Sequence, residues 1–283
     1  MPSFAVPMKP LADATFVGQF RQLAVDWKQP QGEDAKMYRD AFKPSEHLGV
    51  PEPGCYFWAV STNEYHVRQC KSLGKDFKEF THTMLDGIQS AVDLWRAKAQ
   101  FQNLTINAMI VNGSPGCLFA PPIAPDIKML SYPSATSYRK TWRDAVADGV
   151  SECWKAWADQ VTIPGMAAYP AFAVFPAPVT PPMPNTPFPL VSCTSAGMTK
   201  MTPSALKQAM ENHFPGGGSE GQFSSVAHAI GTALSTAFMA WLPTQMVNNV
   251  MGMGPVPTYA PPVMPVGPVV MGMTIPQPGH LAA

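Results

Sequence analysis

Three separated segments of the chain carry apolar residues at i, i+3, i+4 and i+7, and each ends in tryptophan. They read "GIQSAVDLW" to Trp95, "GVSECWKAW" to Trp157 and "ALSTAFMAW" to Trp241. Aligned without gaps, the columns are Ile88/Val150/Leu234, Ala91/Cys153/Ala237, Val92/Trp154/Phe238 and the tryptophans. This spacing is one face of an α-helix. Two upstream columns, Met84/Val146/Ile230 and Phe80/Trp142/Val226, keep the register. They extend each predicted helix to about 16 residues, long enough at 1.5 Å per residue to cross a small domain. A fourth stripe, Phe16, Phe20, Leu23, Ala24 and Trp27, fits the same columns and predicts a helix over 11–27.

Each Trp-ended helix is followed by a proline-rich leg. "SPGCLFAPPIAP" follows the first and "GPVPTYAPPVMP" the last, sharing Pro-x-x-x-[Phe/Tyr]-Ala-Pro-Pro-[Ile/Val]-x-Pro; "FPAPVTPPMPNTPFPL" is the looser middle equivalent. Proline has no backbone donor, so these legs are predicted to be extended rather than helix or central strand. The expected fold is therefore mainly α: a pseudo-threefold repeat of Trp-ended helices stacked into one bundle, with long extended legs leaving its end. Residues 1–74 form an N-terminal region, 75–133 the first repeat, 134–199 the second, and 200–283 a linker helix with the third. That linker, "MTPSALKQAMENHF", has Thr202 as N-cap, Pro203 at the first helical position and an apolar stripe of Leu206, Ala209 and Met210.

Charge sharpens this picture. Of the 283 residues only 13% are charged, with 19 basic and 19 acidic side chains and no net charge. No basic field argues for nucleic acid. Ala99 to Pro125, Gln160 to Thr199 and Gly221 to Ala283 contain no Asp, Glu, Lys or Arg at all. Stretches this long need covering, which points to other chains as partners, copies of itself included. The least polar window, Val226 to Leu242, is shorter than the roughly 20 residues that span a bilayer and contains His228.

Motifs for chemistry are sparse. The six histidines show no metal-ligand spacing, so no metal or other cofactor is expected. Five cysteines without a CxxC pair suit reduced thiols made in a cytoplasm. His66 and Cys70 share a helical face in the manner of a nucleophile pair, and "SYRK" (Ser137 to Lys140) has SxxK spacing; each is read as ordinary helix sequence. Met251, Met253, Met271 and Met273 are soft ligands that suit copper or heme iron, yet the reading adopted is that they fill irregular apolar contacts at an interface.

Trp-ended helices combined with "LFAPPIAP" and "TYAPPVMPVGPVV" make the chain, over roughly residues 75 to 275, resemble structural proteins of tailed-phage virions and contractile injection particles. The resemblance implies a non-enzymatic tail, baseplate, connector or capsid-associated subunit of a particle assembled in the cytoplasm. Trp95, Trp157, Trp241, Ile88, Val150 and Leu234 are expected to hold the core. Phe119, Pro121, Pro122, Phe175, Pro181, Pro182, Tyr259, Pro261 and Pro262 are expected to dock neighbouring subunits. The competing expectation is a membrane- or envelope-associated protein whose charge-free region from Gly221 onward contacts lipid.

Overall fold

A computed structural model describes residues 4–23, 55–59, 64–135, 137–168, 174–215, 221–260 and 264–281, with backbone only at residues 64, 65 and 137. Six α-helices run through the described residues: α1 Met8–Val17, α2 Glu64–Lys98, α3 Ala124–Ser131, α4 Ser137–Ala158, α5 Pro203–Asn212 and α6 Gly221–Trp241. The three Trp-ended helices are α2, α4 and α6, and every position of their six aligned columns is buried, none more than 6% exposed. Their tryptophans meet, with ring centroids of Trp95 and Trp157 6.0 Å apart and those of Trp157 and Trp241 6.1 Å apart. Trp154 and Phe238, from the preceding column, complete the aromatic centre. Ile88, Val150 and Leu234 are fully buried.

The fold is not mainly α. It is mixed, 51% helical and 20% strand, and its second layer is a curled antiparallel sheet of seven strands. These are β2 Thr105–Ala108, β3 Ile110–Gly113, β5 Val161–Ala167, β6 Met183–Pro184, β8 Thr194–Ser195, β10 Met251–Met253 and β13 Val269–Thr274, in the order β6-β10-β13-β2-β3-β5-β8. Three two-stranded pairs flank it: β1 Gln100–Phe101 with β4 Leu118–Phe119, β7 Phe188–Pro189 with β9 Met246–Val247, and β11 Tyr259–Ala260 with β12 Met264–Pro265. The inward residues Ile106, Val111, Ile163, Met166 and Val269 join the helical columns in one continuous apolar core.

The legs are what the sequence reading misplaced. Instead of leaving the bundle as long extended arms they fold back on their own chain, and the three do so differently. The first contributes β4 and the helix α3, the second the end of β5, β6 and β7, and the third β11, β12 and the central strand β13. Unlike structures for the three legs end the pseudo-threefold reading. Proline placement explains how. The central run "VVMGMT" of β13 contains no proline and keeps every donor, whereas Pro184 stands in an edge strand and Pro164 beside a register shift between β3 and β5. Buried polar groups then fasten the second leg to the connector after α6 and to the start of the third leg. Asn185 donates to the Val247 carbonyl at 2.8 Å and accepts from the Val250 amide at 2.9 Å. The Thr180 hydroxyl accepts from the Gly254 amide at 3.0 Å.

At the N-terminus the helix ends at Val17, short of the predicted Trp27. Phe20 takes φ 51° and is 61% exposed, so the stripe breaks there; Leu23 is buried, while Ala24 and Trp27 lie outside the described residues.

Candidate functional site

All thirteen strands among the described residues fall within the three charge-free stretches of the sequence. A sheet with one face on a core ordinarily dresses the other with charged and polar residues. Here the open face has none of the charged kind. Cross-strand register places Met253, Met273, Thr105, Asn112 and Pro164 in one row across five strands. A second row holds Asn107, Ile110 and Ala167, with Val270 and Met271 bulging opposite Asn107. Met271 is 79% exposed, Met273 66%, Ile110 48% and Met109 42%. Methionine and isoleucine are among the residues most often buried, so their exposure beside Thr105, Asn107 and Asn112 makes this face unusually apolar.

A cleft of about 160 Å³ opens where the first leg lies over α2 and α4. Trp95 and Trp154 line it, with Phe119, Pro121 and Pro122 from the leg and Lys155 beside them. Phe119 is 50% exposed and Tyr259, its counterpart in the third leg, 53%. Pro121, Pro122, Pro181 and Pro182 are exposed, Phe175 is buried, and Pro261 and Pro262 lie outside the described residues. The leg residues singled out from sequence therefore divide. Phe175 serves this chain's own core, and the others with described positions face outward.

One titratable network joins the N-terminal elements. Asp13 on α1 accepts from the Tyr56 hydroxyl at 2.7 Å, lies 2.8 Å from His82 Nε2 and pairs with Lys78 at 3.0 Å. Although burial opposes it, hydrogen bonds from Tyr56, Lys78 and His82 hold the Asp13 carboxyl below its usual value. This network ties α1 and the 55–59 segment to α2. His66 Nε2 lies 3.7 Å from the Cys70 sulfur, and both residues are buried. Burial pushes the thiol up to about 11 and the imidazole down, which keeps both neutral, the reverse of an activated thiolate. Ser137 opens α4, and its side chain lies outside the described residues. Among the described residues no three His, Cys, Asp or Glu side chains converge as metal ligands.

The sequence reading missed the open face as a unit, although a signal was present. Met251-Gly252-Met253 and Met271-Gly272-Met273 alternate with period two, the pattern of a strand with glycine on one face and methionine on the other. At Gly272 the inward side is filled by neighbours: a Cβ added there would lie 2.9 Å from the Met253 carbonyl oxygen and 3.1 Å from the Ile106 Cβ. No family model, curated protein or solved structure matches the chain.

Proposed function

We propose that this protein is a non-enzymatic assembly subunit of a large multi-subunit particle, which docks on copies of itself and on other structural subunits through uncharged surface. The observation that supports this reading is the open face of the sheet, seven strands without a charged residue and with Met271, Met273 and Ile110 turned to solvent. Burying an uncharged face desolvates no ion, so contact between two such faces has only the polar groups of Thr105, Asn107 and Asn112 to pair. Phe119, Tyr259 and the exposed prolines extend the same kind of surface beyond the sheet. The kind of particle follows from resemblance to structural proteins of tailed-phage virions and contractile injection particles, and the docking surface is consistent with that class.

The competing lipid reading rests on the region from Gly221 onward. Its helix α6, with the turn that follows to Thr244, is long and apolar enough to cross a membrane, but 72% of the qualifying window is buried inside the protein. α1, α5 and α2 all pack against α6.

Sizing and imaging the native material tests the proposal. The expected result is a large ordered species that disperses in the variant Ile110→Glu, which places a charge on the open face at a position already exposed. A stable, well-behaved monomer of 30.5 kDa would overturn it.

A further inference from the structure

The two Met-Gly-Met triplets lie more than fifteen residues apart in sequence and pair with each other in the sheet. Met253 stands directly opposite Met273. Met251 is two residues along its own strand on the same face, with Gly252 turned inward between them. Met271 is two residues along from Met273, diagonal to Met253. Directly opposed side chains begin about 5 Å apart at Cβ and diagonal ones about 7–8 Å. Unbranched methionine side chains reach across such distances, so register makes Met251, Met271 and Met273 all neighbours of Met253 on one face.

The backbone at Met271 carries a second indication. It adopts φ 50°, the left-handed region where glycine or asparagine is the ordinary choice, and its amide donates to Asn107 Oδ1 at 3.2 Å. This bulge, between Val269 and Gly272, brings the Met271 side chain to the solvent face beside Met273. The left-handed backbone at Met271 costs energy, and with the side chain 79% exposed burial offsets little of it.

We propose that this corner of the sheet is a Cu(I) site whose ligands are thioether sulfurs alone: Met253, Met273 and Met271, with Met251 the fourth in reach. Thioethers are soft and neutral, so they favour a soft monovalent ion. Nothing in the set offsets a second positive charge, since the whole stretch from Gly221 to Ala283 contains no carboxylate side chain. Zn(II) and Cu(II), which favour imidazole, thiolate or carboxylate, are excluded by the same chemistry. The metal binds as Cu(I) and leaves as Cu(I), with no proton released, because a thioether has none to lose.

The test is competition for Cu(I) against a chromogenic Cu(I) chelator under anoxic conditions, on the full chain. The expected result is one Cu(I) drawn from the chelator per chain, with affinity unchanged between about pH 7 and about pH 5, where sites using thiolate or imidazole weaken. Met253→Leu combined with Met273→Leu, near-isosteric and on the solvent face, should weaken binding by about tenfold or more. The far-ultraviolet spectrum and Tm of that variant show that it folds. The proposal is overturned if the protein takes no copper from the chelator, if the double variant binds as tightly as the parent, or if affinity falls steeply with acid. The assembly reading also counts Met271 and Met273 in its docking face; it is tested apart from the copper site by particle size and by Ile110→Glu, which leaves all four methionines in place.

Discussion

His280 makes the stability of this fold depend on acid in a way that can be calculated. The residue is 1% exposed, and its Nδ1 accepts the Phe101 amide proton at 2.7 Å. Its ring stacks on Phe101 with centroids 6.3 Å apart, and its own amide donates to the Ala99 carbonyl at 3.1 Å. The imidazole therefore has to be neutral, and burial lowers its pKa to about 4. In the unfolded chain it titrates near its ordinary 6.5. The unfolded state thus takes up a proton first as pH falls. Stability from this group is complete above 6.5, is lost progressively on descent to about 4, and changes no further below. The gap corresponds to about 3 kcal/mol in full, of which about 2 kcal/mol has gone at pH 5. The comparison is urea unfolding at pH 8 and pH 5 for the parent and His280→Asn. Asparagine Oδ1 replaces Nδ1 as acceptor and does not titrate. The parent should lose about 2 kcal/mol more than the variant over that interval. His66, also held low by burial, is present in both proteins and cancels in the difference. Equal losses in the two proteins would refute the assignment.

Further outcomes follow from packing and hydrogen bonding. Gly149→Ala on α4 would gain about 1 kcal/mol of helix propensity at an open site, but here the new methyl lies 2.5 Å from the Met210 backbone nitrogen on α5. Overpacking against backbone should leave a net loss of about 2 kcal/mol in chemical denaturation. Asn185→Ala removes the partners of the Val247 carbonyl and the Val250 amide, and should cost about 2–4 kcal/mol, read as a lowered Tm with faster proteolysis of the second and third legs. Cys117, Cys153 and Cys193 are buried with thiols pushed up to about 11, 11 and 12, and Cys70 likewise to about 11. All four should resist iodoacetamide at pH 8 in native protein and react fully in denaturant, as followed by mass spectrometry.

Sequence alone determined the three Trp-ended helices of this protein and the linker helix α5. Six apolar columns at helical spacing, each ending in tryptophan, specify which faces of α2, α4 and α6 turn inward, and all of those positions are buried. The start of α5 was equally legible, because Thr202 accepts from the Ala205 amide as N-cap and Pro203 opens the helix. These are local rules: the 3.6-residue period and the capping geometry act within a few residues of chain. The sheet was decided only by tertiary structure. Its strands are two to seven residues long and rich in proline, glycine and methionine. β13 finds β2 and β10 across gaps in sequence that no local periodicity reports. Lack of charge marked which stretches needed covering. It could not say that the chain's own core would cover one side of them and leave Met271, Met273 and Ile110 on the other. That division depends on strand register, in which a shift of one residue exchanges the two faces of a strand.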